Sequence, residues 1–405
     1  MSRPHFKKPL SHVGRGAQLG ALHFEGDPQW KAPLGRACRP PSDYDERAAT
    51  HGFHAWPARL HPSIAATLIP LAPAGLAIAD PFMGGGTTPL EAMFAGRQAI
   101  GNDLNPIGLE VAWTRTRRNA PALMGRAKAF VKMALARAEQ RPEPDFVRAV
   151  GDWFDPIALA EVWALRTVIM AAQETDTDRI LRAVLSSILV KLSKQVSDSV
   201  TKIDRRQEKP ERSPRGRTFE WFLGRAFELE EQLRETQRRL SMSCPEPLLR
   251  MGDARTAPDE LPKLGAIISS PPYPGVYDYL RHHLLRCAVL GFDPGPAARH
   301  EIGARRSHER EGRELADRRY VEALAEVLTS WGKALVPQGF MALVIGDGQL
   351  GPDVIPVLPL LAQSAASSPL KISATMSDPR PTFAPGESGG TKTMKHEHLV
   401  VLTPR

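Results

Sequence analysis

The residues best suited to chemistry lie in one stretch, 267–279, where an apolar segment ends at Pro271 and Pro272 and three tyrosines follow. Two adjacent prolines cannot continue a central strand, because neither donates to the ladder and each fixes φ. The chain therefore leaves the sheet in a stiff turn that holds Ser270 and Tyr273. Open α/β sheets place their ligands at the carboxyl ends of parallel strands, although a proline pair also serves as a plain strand terminator.

A glycine-rich turn at residues 84–86 is the second candidate. It follows a short apolar strand that ends at Asp80, it opens a helix, and the next strand ends at Asp103. Three adjacent glycines let a backbone approach a ligand closely, and this order of elements is typical of a nucleoside-binding half-fold. The turn is not the G-x-G-x-x-G of pyrophosphate binders. Asp103 is placed to accept from two ribose hydroxyls, and Asp253, at the end of the third strand, is placed to hold an adenine amino group.

The elements that position these residues follow from the hydrophobic pattern. Apolar runs near residues 77, 100, 249, 267, 342, 372 and 400 predict seven strands, and long helical patterns fill the gap between the second and third strands. The prediction is an α/β fold with a doubly wound, mostly parallel seven-stranded sheet and a large helical insertion. The segments are a basic flexible arm (1–45), the first half of the sheet domain (46–114), the insertion (115–245) and the second half (246–405).

Four motifs, in a consistent order, resemble those of the DNA amino-methyltransferases. Residues 54–62 (H-A-W-P-A-R-L-H-P) are similar to H-x-Y-P-A-R/K-F-x-P, and residues 80–88 (D-P-F-M-G-G-G-T-T) to D-P-F-x-G-S-G-T-T. Residues 101–106 (G-N-D-L-N-P) resemble G-x-D-x-N-P, and residues 270–273 are S-P-P-Y. The chain departs from these patterns at Gly85, where the family has Ser, and at Trp56, where it has Tyr. The resemblance covers roughly residues 50–114 and 246–405.

The resemblance implies a methyltransferase domain with S-adenosylmethionine as methyl donor and an exocyclic amino group of a flipped base as acceptor. Ser270 and the Pro271 carbonyl would accept the two amino hydrogens, and Tyr273 would stack on the base. The implied catalytic residues are Ser270, Pro271, Pro272 and Tyr273. The implied cofactor-binding residues are Trp56, Pro57, Asp80, Phe82, Gly84, Gly85, Gly86, Thr87, Thr88, Asp103, Asn105 and Asp253.

The substrate is expected to be double-stranded DNA, with cytosine N4 favoured over adenine N6 because S-P-P-Y is commoner in the cytosine-N4 branch of the family. Two alternatives stay open: an RNA base N-methyltransferase, and a nucleic-acid-binding module that has the methyltransferase fold without turnover. A cognate restriction enzyme is a further partner that the family suggests, as part of a restriction-modification pair. A cytosine-C5 enzyme is excluded because it needs a Pro-Cys nucleophile loop, which the three cysteines do not supply.

The chain has 53 Lys and Arg residues against 45 Asp and Glu residues, which gives a net charge of +8 and a pI of about 9.5. This basic balance fits a polyanionic partner. A basic, proline-broken linker between two predicted helices offers candidate phosphate contacts, although such runs are often simply solvated. The predicted nucleic-acid-binding residues are Tyr277, Tyr279, Arg205, Arg206, Arg212, Arg215 and Arg217.

The cysteines Cys38, Cys244 and Cys287 are far apart and form no C-x-x-C pair. The sequence therefore predicts neither a metal site nor a disulfide framework, and it fits a reducing compartment. No signal-peptide pattern and no apolar run of membrane-spanning length is present. A cytoplasmic location without membrane contact is expected, and the oligomeric state is left open.

Overall fold

The computed structural model describes residues 21–197, 200–203, 213–276, 278–350, 353–381 and 394–405. Four of the predicted nucleic-acid-binding residues lie outside the described residues: Tyr277, Arg205, Arg206 and Arg212.

Twelve strands are present in the described part of the chain, and eight of them form one sheet in the order β1-β11-β12-β8-β7-β2-β3-β6. The strands β6, β3, β2, β7 and β8 are parallel to one another, whereas β12, β11 and β1 continue the sheet from β8 in antiparallel pairs. The short pairs β4–β5 and β9–β10 are separate antiparallel hairpins. The strands are β1 His23–Gly26, β2 Ala77–Asp80, β3 Ala99–Asp103, β4 Gln195–Ser197, β5 Val200–Ile203, β6 Leu248–Met251, β7 Leu264–Ser269, β8 Leu335–Gly346, β9 Gly348–Leu350, β10 Asp353–Ile355, β11 Leu370–Pro381 and β12 Met394–Pro404.

The predicted mostly parallel seven-stranded sheet is therefore corrected to a mixed sheet of eight strands. All seven predicted strand positions fall within it, and the additional strand is β1, which pairs with the edge of β11 from His23↔Ser377 to Gly26↔Ala374. The prediction of a flexible arm is wrong for residues 21–45, because this part of the arm contains β1 and a helix that buries Leu34. The strand has the sequence His-Phe-Glu-Gly, which carries no apolar run, so only its pairing with β11 makes it a strand.

The described residues contain fourteen α-helices, five of which cover the two faces of the sheet. Helices α1, α2 and α3 cover one face, where they pack on Ile78, Ile268 and Val401. Helices α13 and α14 cover the other face, where Ala79 and Ile267 point. The helices are α1 Lys31–Cys38, α2 Pro62–Leu68, α3 Thr87–Phe94, α4 Pro106–Arg115, α5 Leu123–Arg137, α6 Pro144–Val150, α7 Pro156–Met170, α8 Asp176–Leu192, α9 Arg217–Arg239, α10 Leu284–Leu290, α11 Gly295–Arg299, α12 Arg305–Glu311, α13 Arg313–Gly332 and α14 Val357–Ala366.

Helices α5 to α9 form a helical module with a hydrophobic core of its own. Its buried side chains include Phe130, Leu165, Leu185 and Phe222, and the core extends to α4 and α10 but not to the strands of the sheet. Thr175 and Asp178 form a capping box that fixes the N-terminus of α8, a helix with many buried residues. No helix in the described ranges is long and apolar enough to span a membrane.

Candidate active site

One cleft collects residues from all four motifs at the carboxyl ends of β2, β3, β6 and β7. It encloses about 920 Å³, a volume that includes space open to solvent. Residues that are far apart in the sequence therefore line the same cleft. The predicted site residues that line it are Trp56, Pro57, Asp80, Phe82, Gly84, Gly85, Thr87, Asp103, Asn105, Asp253, Ser270, Pro272 and Tyr279.

The glycine loop is held tightly against its surroundings. A side-chain Cβ on Gly84 would lie 2.5 Å from Nε1 of Trp56, and one on Gly86 would lie 2.8 Å from the backbone of Ala112 in α4. Gly84 and Gly86 also have positive φ values of 48° and 81°, which glycine adopts without strain. Gly84 N–H donates to the Asp103 carboxylate at 2.7 Å, so the loop is tied to the end of β3.

Asp103 faces the cleft with a carboxylate that also accepts from the Asn105 N–H at 2.8 Å. Burial raises the pKa of Asp103 to about 6, although the backbone hydrogen bonds from Asn105 and Gly84 act in the opposite direction. Each carboxylate oxygen has a second lone pair, so Asp103 retains the capacity to accept hydrogen bonds from a ligand hydroxyl.

Asp80 links the two central strands below the cleft. Its carboxylate accepts from the Ser269 hydroxyl at 2.5 Å and from the Phe82 N–H at 3.1 Å. Burial raises the pKa of Asp80 to about 7. Thr88, which does not line the cleft, donates to the Ile268 carbonyl at 3.0 Å and fastens α3 to β7. Ser269 was not predicted, although it directly precedes the predicted Ser270 at the end of a strand.

The Thr87 hydroxyl and the Asn105 side-chain nitrogen belong to residues of the cleft wall, are buried and have no hydrogen-bond partner. An unsatisfied buried polar group costs about 1–3 kcal/mol, and each such group calls for an explanation. Gly86 is the N-cap of α3 and supplies no side-chain cap, so the first backbone N–H groups of the helix have no side-chain partner from that position. The wall therefore offers hydrogen bonds that a ligand would satisfy.

The cleft is also lined by Asp253 and by His300, which was not predicted, and Arg255 contacts both side chains from outside the lining. The Asp253 carboxylate accepts from Nε of Arg255 at 3.0 Å, and His300 Nδ1 lies 2.9 Å from a guanidinium nitrogen of Arg255. Burial acts to raise the pKa of Asp253, but the hydrogen bonds from Arg255 outweigh it and leave the pKa below its usual value. Asp253 is therefore an ionised acceptor at neutral pH.

The Ser-Pro-Pro-Tyr turn is fixed by three hydrogen bonds to the sheet and to α13. The Ser270 hydroxyl donates to the Val344 carbonyl at 3.1 Å, and the Tyr320 hydroxyl donates to the Pro272 carbonyl at 2.9 Å. The Tyr273 hydroxyl donates to Glu397 at 2.7 Å. Ser270 and Pro272 face the cleft, whereas Pro271 is buried and does not line it.

Tyr273 is turned away from the cleft toward β8 and β12. A Cβ on Gly346 would lie 2.5 Å from Cε2 of the Tyr273 ring, so the ring occupies the space that this glycine leaves. Burial, and then the neighbouring Glu397, raise the pKa of Tyr273 well above its ordinary value. The ring does not line the cleft in this conformation, and its stacking on a target base remains a prediction.

Of the described residues predicted to bind nucleic acid, one lies at the cleft and two do not. Tyr279 lines the cleft, while Arg215 is exposed before α9 and Arg217 places its guanidinium carbon 5.8 Å from the Trp221 ring centroid. Within the described ranges, no group of three His, Cys, Asp or Glu side chains is arranged to hold a metal ion.

Comparison with known proteins gives one short sequence match. The type II methyltransferase M.MvaI of Kocuria varians is 33% identical over 82 residues, which cover 19% of this chain and 18% of that protein. The match therefore spans less than a fifth of either protein. No protein-family model matches the chain.

Two solved structures show a distant likeness at 13% sequence identity. The match to the crystal structure of TrmN from Thermus thermophilus covers 85% of this chain and 49% of the TrmN chain, with a TM-score of 0.31. The match to the rRNA methyltransferase aviRa from Streptomyces viridochromogenes covers 86% of this chain and 88% of the aviRa chain, with a TM-score of 0.28. At these TM-scores neither likeness supports an inference about the fold or the function.

Proposed function

We propose that this protein is a methyltransferase that moves the methyl group of S-adenosylmethionine to an exocyclic amino group of a nucleic-acid base. The proposal rests mainly on one observation: the glycine loop and the Ser-Pro-Pro-Tyr turn line the same cleft, and Asp103 and Ser270 are both in its wall. The short match to a type II methyltransferase supports the same reaction class. Cytosine N4 of double-stranded DNA is the proposed acceptor, because residues 270–273 read S-P-P-Y, the form that is commoner in the cytosine-N4 branch of the family.

The cleft fits S-adenosylmethionine on its own features. The glycine loop places backbone at Gly84 and Gly85 in the cleft wall, Asp103 can accept from ribose hydroxyls, and Asp253 can accept from the adenine amino group. Thr87 and Asn105 supply buried polar atoms that no protein group satisfies. When bound, the donor supplies a methyl carbon that the neighbouring sulfonium makes electrophilic.

The acceptor amine needs activation because its lone pair is delocalised into the base ring. The Ser270 hydroxyl gives its hydrogen to the Val344 carbonyl, which leaves its oxygen lone pairs to accept one amino hydrogen. The Pro271 carbonyl is proposed to accept the other, as the resemblance of residues 270–273 to the family's S-P-P-Y turn implies. Two acceptors favour a pyramidal nitrogen whose lone pair would attack the methyl carbon in line as the carbon–sulfur bond breaks and the thioether leaves, and the methylated amine would then release its surplus proton to water.

The nucleic acid is proposed to approach over the turn and the helical module. Tyr279 is in the cleft wall and is proposed to contact the flipped base. Arg215, which is exposed, and Arg217 are proposed to contact phosphates together with the basic residues that precede them in the sequence. The chain's net charge of +8 supports such a partner.

The proposal is tested by incubating the purified protein with S-adenosylmethionine carrying a labelled methyl group, and with duplex DNA, tRNA or rRNA in separate reactions. Label should enter DNA, and digestion to nucleosides should yield N4-methylcytosine. Met242→Ala is a matched control, because that side chain is fully exposed, and it should methylate like the wild type. N6-methyladenine would identify adenine as the target base, and label in RNA alone would identify RNA as the substrate. DNA binding without donor binding in calorimetry would favour a binding module.

A further inference from the structure

Arg115, the last residue of α4, is completely buried directly behind the glycine loop. Its relative exposure is 0%. One terminal nitrogen donates to the Gly85 carbonyl and the other to the His54 carbonyl, both at 2.7 Å. Its own carbonyl accepts from the Thr50 hydroxyl, also at 2.7 Å. A single guanidinium thus joins the loop to the segment that carries Trp56.

This guanidinium is an unusual charge to bury. Among the described ion pairs none involves Arg115, and its Nε lies buried without a hydrogen-bond partner. Burial lowers its pKa well below the ordinary value, and the nearby Arg59 and Arg225 add to that effect. Burying a charge without an opposite charge is costly, so a residue that contributes only packing would be better served by an apolar side chain of similar size.

The glycine at position 85 is explained by this arginine. Gly85 does not have the positive φ of Gly84 and Gly86, so backbone conformation does not require a glycine there. A Cβ at this position would lie 2.6 Å from the Arg115 terminal nitrogen and 3.3 Å from its guanidinium carbon. The next nearest atom, Cβ of Trp56, is 3.5 Å away, an ordinary contact distance. The space behind the loop is therefore taken by the guanidinium alone.

We propose that Arg115 is a positioning residue for the donor: it fixes the Gly85 carbonyl and holds the glycine loop against the segment around Trp56. Gly84 already packs on the Trp56 ring, so both connections define the same wall of the cleft. A loop that is fixed in advance loses less conformational entropy when a ligand binds, and its affinity is correspondingly higher. The inference deepens the proposed function and depends on it, because the ligand is taken to be S-adenosylmethionine.

The test is a cycle of three variants, Arg115→Ala, Gly85→Ala and the double variant. Calorimetry measures the dissociation constant for S-adenosylmethionine, and thermal melting of the ligand-free proteins reports stability. Each single variant should weaken donor binding by about tenfold or more, on the scale of hydrogen bonds from a charged group. The double variant should bind no more weakly than Arg115→Ala, because the methyl group added at position 85 then has room.

Arg115→Lys provides a second route if Arg115→Ala does not fold. Lysine keeps the positive charge but lacks the planar fork that reaches two carbonyls, so donor binding should weaken while the Michaelis constant for the nucleic acid stays unchanged. Losses that multiply in the double variant, or donor affinity unchanged in Arg115→Lys, would overturn the inference. A wild type that binds no donor would instead overturn the proposed function, and the melting temperatures of the cycle would still show whether Gly85 and Arg115 compete for one space.

Discussion

The two walls of the cleft differ in how many of their polar groups are already bonded to protein. On the glycine-loop wall, Thr87 and Asn105 have buried polar atoms without partners. On the opposite wall, the Ser270 hydroxyl and the Pro272 carbonyl have protein partners, and behind that wall the Tyr273 hydroxyl is bonded to Glu397. The first wall therefore has hydrogen-bonding capacity ready for a ligand, whereas the second must share or break its own bonds when a substrate enters.

The largest effect is expected from Asp103→Asn, which removes the charge that holds Gly84 and Asn105. Hydrogen bonds to charged groups contribute about 1.5–3 kcal/mol each, so the dissociation constant for S-adenosylmethionine should rise by about a hundredfold, as measured by calorimetry. Asp145→Asn makes the same chemical change at a side chain that is 88% exposed and should have no effect. Equal donor affinity in the two variants would show that the glycine-loop wall does not hold the donor.

A smaller effect is expected from pH. Burial raises the pKa of Asp103 to about 6, and its ionised form is the better acceptor for ribose hydroxyls. The association constant for the donor should therefore be at its maximum well above this pKa and should fall as the pH decreases through it. One pH unit below the pKa it should be about a tenth of the maximum. Calorimetry across this range measures the effect, and Asp103→Asn should lack the step. A step of the same size in the variant would assign the titration to another group.

The smallest effect is expected behind the opposite wall, from Tyr273→Phe and Glu397→Leu, which each remove one partner of the same hydrogen bond. Phenylalanine removes the hydrogen bond to Glu397 and keeps the ring, so the ring should leave its site beside Gly346 more easily. A typical hydrogen bond contributes about 1 kcal/mol, so each variant should lower the Michaelis constant for DNA by about fivefold without changing donor affinity.

The double variant of Tyr273 and Glu397 separates a direct contact from two independent effects. If the two side chains act through their shared hydrogen bond, the double variant should behave like either single variant in steady-state kinetics. Effects that multiply, or a raised Michaelis constant in Tyr273→Phe, would contradict the view that this bond opposes substrate binding.

Local patterns were sufficient to predict most of the sheet and the glycine-loop wall. An apolar run, a glycine turn and a terminal acid are contiguous in residues 77–103, so Asp80, Gly84 and Asp103 could be assigned from sequence. The strand β1 could not, because its four residues form a strand only through pairing with β11. A sequence reading has no means of recognising an edge strand that tertiary pairing alone creates.

The contacts that were missed are those between distant residues with ordinary local surroundings. Arg115 ends a helix, where a basic residue is common for reasons of the helix dipole, and its contact with Gly85 is 30 residues away. Tyr273 and Glu397 are 124 residues apart, so the sequence supported a freely stacking tyrosine. In the structure this tyrosine is instead hydrogen-bonded to Glu397 in β12. That bond is one of those that distinguish the Ser-Pro-Pro-Tyr side of the cleft from the glycine-loop wall.

The most direct test of the central claim is sequencing, with detection of modified bases, of DNA from cells that express this protein beside cells that express Ser270→Ala. The account predicts N4-methylcytosine in a defined sequence context with the wild type and its loss in the variant. Donor binding should be the same in both proteins, since Ser270 is on the wall opposite the glycine loop. DNA without N4-methylcytosine or N6-methyladenine in the presence of the wild type would contradict the claim.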